Sequence, residues 1–208
     1  MKLSPAVAAA VLMLLPLTAC TGDDEPTPDP TTPVPSSSST PTESVPTASS
    51  DLVVAPGRFG PAEVGMTQDE AVDTGLFDAD VKFQGEACEG VHPLQWKKAF
   101  TGVDVLTDES GTIVSLGTAE SDGPRTEVGF GVGTTFDELI EGYGEQLSEP
   151  EEAGYGQVGT YVQDGDDWLG FLFGDAESVQ QLGNDHGLQV TFVEVTQGEK
   201  PALMRDGC

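Results

Sequence analysis

A chain of 208 residues with 36 acidic side chains against 8 Lys and Arg, net charge −28 at pH 7, is repelled by nucleic acid and by anionic surfaces, which excludes those partner classes. Hydrophobic residues make up 37% of it, enough for a sizeable core, while 3 cysteines and 2 histidines leave a short inventory for thiol or metal chemistry.

The chain opens with one positive charge in Met1-Lys2-Leu3 and an apolar run from Ala6 to Leu17, shorter than the roughly 20 residues a permanent membrane helix needs. Residues 1–19 therefore read as a signal peptide. They end in Leu17-Thr18-Ala19-Cys20, which resembles the lipobox of bacterial lipoproteins, in which small residues precede a cysteine that receives a diacylglycerol. The alternative is an ordinary secretory signal with an incidental cysteine, but the polar, acidic Thr21 to Glu25 begins at once. Lipidation at Cys20, with acyl chains such as palmitate, implies a lipoprotein on the extracytoplasmic face of the cell membrane, with the bilayer as its first partner. Two or three chains at about 0.8 kcal/mol per buried methylene make such an anchor long-lived.

Residues 20–50 are expected to be a disordered stalk. Thr21 to Ser50 is mostly Pro, Ser and Thr, as in Pro26-Thr27-Pro28 and Ser36 to Ser39, and cannot bury a core. The remainder, 51–208, is the length of one domain. Apart from Cys20 it holds Cys88 and Cys208, an even pair that outside the cell implies a disulfide, with two free thiols as the alternative. The bridge would close a loop of roughly 120 residues and stabilise the fold by on the order of 4 to 5 kcal/mol if unstrained.

Within 51–208 one pattern occurs twice. Val64-Gly65-Met66-Thr67-Gln68-Asp69-Glu70-Ala71-Val72 returns 68 residues later as Val132-Gly133-Thr134-Thr135-Phe136-Asp137-Glu138-Leu139-Ile140. Thr67 and Thr135 are placed to cap a helix, with Glu70 and Glu138 three residues on reaching back to the cap's own N–H. Asp69 and Asp137 add negative charge in the first turn, where the helix dipole favours it. The helices should stop near Gly75 and near Gly142 to Gly144. Strand signals follow each: Leu94 to Phe100, Val103 to Thr107 and Thr112 to Thr118, then Gln157 to Gln163, Trp168 to Phe173 and Leu188 to Val195. Asp108-Glu109-Ser110-Gly111 and Asp164-Gly165-Asp166-Asp167 supply hairpin turns. Trp168 to Phe173 is apolar on both alternations, as a central strand covered on both faces would be.

The expected fold is α+β, built from two tandem repeats, about 59–120 and about 126–208, each a short capped helix followed by antiparallel strands in a shared sheet. A duplicated helix start of G-M-T-x-x-[EQ]-[VL] type in a small exported chain resembles the tandem BamE/SmpA-like fold shared with the β-lactamase inhibitor protein. The ending Arg205-Asp206-Gly207-Cys208, with a partner cysteine in the first half, is similar to lipoproteins of high-GC Gram-positive bacteria. Thr134 standing where the first copy has Met66, and one cysteine pair rather than one per repeat, depart from that pattern. The resemblance implies a binding role, or inhibition of a secreted enzyme such as a β-lactamase.

Catalytic constellations are sparse. His92 and His186 read as loop residues outside any zinc motif, no G-x-S-x-G surrounds a serine, and no phosphate-binding loop is present. Paired carboxylates would allow a hydrolase, but in so acidic a chain close pairs arise by chance. Asp164, Asp166 and Asp167 form the best Ca²⁺ candidate, yet they lack the other ligands of a calcium loop and read as a turn. No cofactor and no metal are expected. The reading is a non-enzymatic, membrane-tethered binding or scaffold module of the envelope, its partner an envelope or secreted protein. Trp96 and Tyr161, with polar Lys97 and Gln163 close by in sequence, are the candidates for an aromatic binding face on an uncovered side of the sheet. For the cysteine pair, intact mass should rise by about 2 Da on reduction; an unchanged mass would leave two thiols.

Overall fold

The computed structural model describes residues 46–83, 90–153 and 156–203. The signal segment, the stalk up to residue 45 and Cys20, Cys88 and Cys208 lie outside them. The described chain is α+β with antiparallel sheet, as the order of helix and strand signals implies.

Near the start of the described chain, the Asp51 carboxylate accepts from the Thr47 N–H and hydroxyl at 2.9 Å and from the Ala48 N–H at 3.0 Å. Three very short strands follow, β1 (Val53–Ala55), β2 (Arg58–Phe59) and β3 (Ala62–Glu63). With the later β8 (Arg125–Thr126) they form a sheet of order β3-β2-β1-β8 in which β1 pairs with β8 in parallel. Strands of two or three residues carry no readable periodicity. Their inward side chains Val54, Phe59 and Ala62, with Leu52 just before β1, are all buried in the main core.

Helix α1 (Gln68–Asp73) starts as its sequence dictates: the Thr67 hydroxyl accepts from the Glu70 N–H, and the Glu70 carboxylate accepts from the Thr67 N–H at 2.9 Å. Helix α2 (Phe136–Tyr143) repeats this with Thr135 and Glu138, at 2.7 Å. The approach to each helix matches as well. Gly65, at φ +92°, donates to the Ile113 carbonyl while Ile113 donates to Met66; Gly133, at φ +88°, donates to the Val190 carbonyl while Val190 donates to Thr134. Ala71 and Leu139, at equivalent positions, are the fully buried residues that seat the helices on the core.

After α1 come β4 (Phe77–Phe83), β5 (Gly90–Trp96), β6 (Val103–Thr107) and β7 (Ile113–Thr118). After α2 come β9 (Glu151–Ala153), β10 (Gln157–Asp164), β11 (Asp167–Phe173), helix α3 (Val179–Asn184) and β12 (Phe192–Gln197). The main sheet has the order β6-β7-β12-β11-β10-β9, antiparallel throughout, so strands from both halves share it. The β4–β5 hairpin stands apart as a two-stranded sheet. As expected, β11 is central and covered on both faces: Leu169, Phe171 and Phe173 enter the main core, while Leu172 enters a second cluster on the other side.

Three expectations shift. The strand placed at Leu94 to Phe100 ends at Trp96, because Lys97 to Phe100 close a 3₁₀ turn through the Phe100 N–H to Lys97 carbonyl bond. His92 lies inside β5 and not in a loop; Pro93 beside it lacks a donor, but β5 pairs on one side only and tolerates the loss. The strand begun at Leu188 starts at Phe192, since Val190 is turned to the helix-approach loop by its bonds to Gly133 and Thr134. Helix α3, capped by Ser178, was not evident from a six-residue stretch with only Val179 and Leu182 as apolar landmarks.

The caps make a stability prediction. Thr135→Ala should cost about 1 kcal/mol in urea unfolding at neutral pH. Hydrogen bonds from the Thr135 N–H and hydroxyl hold the Glu138 carboxyl below its ordinary value, so its contribution is present above the unfolded value near 4.3 and is lost as pH falls. The penalty of the variant should therefore shrink at pH 3.

Candidate functional site

Two places have the form of a binding site, and each holds one of the aromatics singled out above. The first is a cleft of about 540 Å³ between β5 and β6. It exists because the chain leaves β5 through the 3₁₀ turn at Lys98–Phe100 and returns as β6, the outer strand of the main sheet, without hydrogen-bonding the two strands to each other. His92, Leu94 and Trp96 line one wall, Lys97, Lys98 and Phe100 the closed end, and Val103 to Leu106 the other wall. Trp96 is braced by Phe77 at 4.2 Å and Phe100 at 5.8 Å between ring centroids, and its indole Nε1 is buried without a hydrogen-bond partner. Lys97 is committed to the Gly75 carbonyl at 2.6 Å, whereas Lys98 is exposed at the mouth. Asp78 and Asp104 bring acidic groups to the same cleft.

The second is the sheet face opposite the helices. Tyr161, Leu172 and Phe192 form its cluster with Leu203, and Trp168 packs at the margin, edge-on to Tyr161 at 6.5 Å. This face is not uncovered: residues 199–203 cross it as a strap. Leu203 fills the space above Gly159 and Gly170, where an added Cβ would come within 2.5 and 2.9 Å of its methyls, and Pro201 lies against Gly170. Lys200 sits over the Tyr161 ring at 4.8 Å and pairs with Glu151 at 2.6 Å.

At the middle of this face is Glu194, 5% exposed, flanked across the sheet by Gly117 and Gly170. One carboxylate oxygen accepts from the Ser115 hydroxyl at 2.6 Å and the other from the Leu203 N–H at 2.7 Å. Burial raises its carboxyl above the ordinary range, against the opposing effect of those two hydrogen bonds. The same burial, with the negative charges of Glu151 and Glu194, pushes the Tyr161 phenol up to about 12.

Trp96 and Tyr161 thus do not share a face. They are 7% and 3% exposed, in different clusters, because the face expected to lie open is filled by the chain's own strap. Sequence reasoning missed Glu194, although a signal was present: it stands in strand alternation with Phe192, on the same face as an aromatic that turned out buried. It missed Leu203 because a lone leucine after a proline carries no pattern.

Elsewhere, His186 Nδ1 and Asp137 Oδ1 are 2.8 Å apart at the surface, beside the start of α2, with Phe136 edge-on to the imidazole. Asp164 and Asp167 close a hairpin turn through Gly165 at φ +63°, and Asp167 accepts from Gln197 at 2.8 Å. Among the described residues no group of three His, Cys, Asp or Glu side chains is arranged to hold a metal ion, and no helix is long and apolar enough to cross a membrane. Comparison of the chain with protein-family models, curated proteins and solved structures finds no match.

Tyr161 supplies a test of the second face. A phenol whose folded value is raised contributes stability that is present below the unfolded value near 10 and is lost as pH rises towards 12. Tyr143 is raised by burial too, so the Tyr161 signal is read by difference: absorbance titration of the folded chain should lose, in Tyr161→Phe, a phenol that is still protonated at pH 11, and the variant should flatten the fall in stability over that range.

Proposed function

We propose that this chain is a membrane-tethered extracytoplasmic lipoprotein whose domain acts as a non-enzymatic binding or scaffold module of the cell envelope. The observation that carries the binding role is the cleft beside Trp96. Its volume falls in the range of roughly 300 to 1,000 Å³ typical of ligand sites, and its lining mixes braced aromatics with a few convergent polar groups. Lys98 and His92 place cationic or donor groups there, in a chain with only 8 Lys and Arg in total. The tether rests on Leu17-Thr18-Ala19-Cys20 and the stalk that follows.

The tandem-repeat architecture belongs to the same proposal. It is supported by the two matching capping boxes and by the matching pairs of backbone bonds, Gly65 and Met66 to Ile113 and Gly133 and Thr134 to Val190. Matching backbone bonds together with matching caps support a BamE/SmpA-like arrangement more than the helix-start sequence alone.

The two parts of the reading are tested separately. Cys20→Ala should move the chain from the detergent phase to the aqueous phase on phase partition of whole cells; retention with the membrane would remove the lipid tether. Lys98→Glu reverses charge at the cleft mouth without touching the core, and should reduce capture of an envelope partner by the full chain several-fold. Equal capture by the variant would remove the cleft from the binding surface.

A further inference from the structure

The strap over the second sheet face is not packed as an ordinary core segment. Four local features that each oppose stability meet on one contact. Glu194 is a buried carboxyl group that no Lys or Arg among the described residues pairs with: Lys200, the lysine of the strap, turns to Glu151 instead. Leu203, 1% exposed, adopts φ +55°, a left-handed backbone conformation that a γ-branched side chain rarely takes. The Trp168 indole Nε1 is buried without a hydrogen-bond partner. The floor under Leu203 and Pro201 is glycine, at Gly159 and Gly170, which weakens a strand interior and is used where another backbone approaches closely. Strained backbone such as that of Leu203 clusters at ligand clamps and switch regions, which motivates a functional reading of this contact.

The chemistry of that contact is modular. A cation rests on an aromatic face, a proline lies flat on one glycine, an aliphatic side chain fills the hollow above two glycines, and one backbone N–H is received by a carboxylate. We propose that this trough is a binding site for a short peptide of the form Lys-Pro-x-Leu, occupied in this structure by the chain's own Lys200 to Leu203, and that ionisation of Glu194 loosens the occupant.

The sign follows from what docking does to the carboxylate. With the strap away, Glu194 meets solvent; with it docked, the carboxylate is enclosed between Gly117, Gly170 and Leu203. Ser115 on β7 donates to it, Tyr161 on β10 lies within reach of its charge, Asp104 on β6 stands across Gly117 in the same row, and Glu151 on β9 with its partner Lys200 on the strap lies beside Tyr161. Its net effect is a raised carboxyl, so docking favours the protonated form and is strongest at low pH, and it weakens as pH rises through the docked-state value. Each unit of difference between the docked and open values corresponds to tenfold in the docking equilibrium.

The test uses the full chain carrying Pro201→Ser and Leu203→Ser, which empties the trough, and a labelled peptide reproducing residues 198–204. Fluorescence anisotropy should show saturable binding, about tenfold tighter at pH 5 than at pH 8. Adding Glu194→Gln, which removes the charge while its amide oxygen can accept from the Leu203 N–H and its NH₂ can donate to the Ser115 hydroxyl oxygen, should make the affinity independent of pH. Adding Gly170→Val instead should abolish it. No saturable binding by a variant that still unfolds cooperatively, or an unchanged pH profile with Glu194→Gln, overturns the proposal. Should the emptied variant fail to fold, amide exchange in the unaltered chain decides. Protection of the Leu203 N–H, corrected for intrinsic exchange, should fall between pH 5 and pH 8 while that of Val195 holds; equal protection of the two at every pH would show that the strap never opens on its own, against the proposal.

Discussion

The structure depends on one constraint: β11 is apolar on both alternations, so the main sheet has to be covered on both sides. Leu169, Phe171 and Phe173 are met by α2 and by the elements that precede the first strand of the sheet, and this side is the larger core. Leu172 and its neighbours on the other side have no helix to meet them. Fully burying a leucine or phenylalanine is worth about 1.5 to 3 kcal/mol, so Leu172 and Phe192 left open would expose a patch that a monomer rarely tolerates. The strap is what that requirement recruits, and the buried Glu194 follows from it, since residues crossing the middle of the sheet desolvate whatever stands there.

The cleft has a related origin. The strands that follow α2 all join the main sheet, whereas of those following α1 only β6 and β7 do. The hairpin β4–β5 stays outside it. Pro93 removes a donor from β5, and opposite it Asp80 adopts φ +50°, so this hairpin has an interrupted ladder and makes a poor further edge strand. It packs its Phe77, Leu94 and Trp96 into the core instead of extending the sheet, and the space between β5 and β6 is the remainder.

The parts of the fold legible in sequence were those set by local chemistry. Thr67 with Glu70 and Thr135 with Glu138 are self-contained caps, and the turns at Asp108 to Gly111 and Asp164 to Asp167 need only their own residues: Asp108 accepts from the Ser110 N–H at 2.8 Å and the Thr112 N–H at 3.0 Å, with Gly111 at φ +85°. Strand β4 was legible in principle, with Phe77, Ala79, Val81 and Phe83 alternating against Asp and Lys, but two aspartates in a strand weigh against it. What was not legible depended on partners far along the chain. Nothing near Glu194 says that Leu203 will fold back over it, and nothing near Trp96 says that Phe77 will stack on it from 19 positions away. The site residues therefore failed as a pair while each marked a real feature.

The acidity of the chain bears on both features differently. At the cleft, the excess negative charge is screened within about 8 to 10 Å at physiological ionic strength, so the charges that count there are the local ones, Lys97 and Lys98 against Asp78 and Asp104. At Glu194 there is no such relief, because a buried carboxylate is screened little and its neighbours in the row are glycine. A basic residue paired with it would neutralise the charge and lock the strap, and among the described residues none is so paired. The structure places the strap's one lysine against Glu151 at the edge instead, where the pair is half-exposed and weak. The strap is thus held by shape at Leu203 and Pro201, and its charge pairing is kept at the rim, the distribution found where contacts form and break.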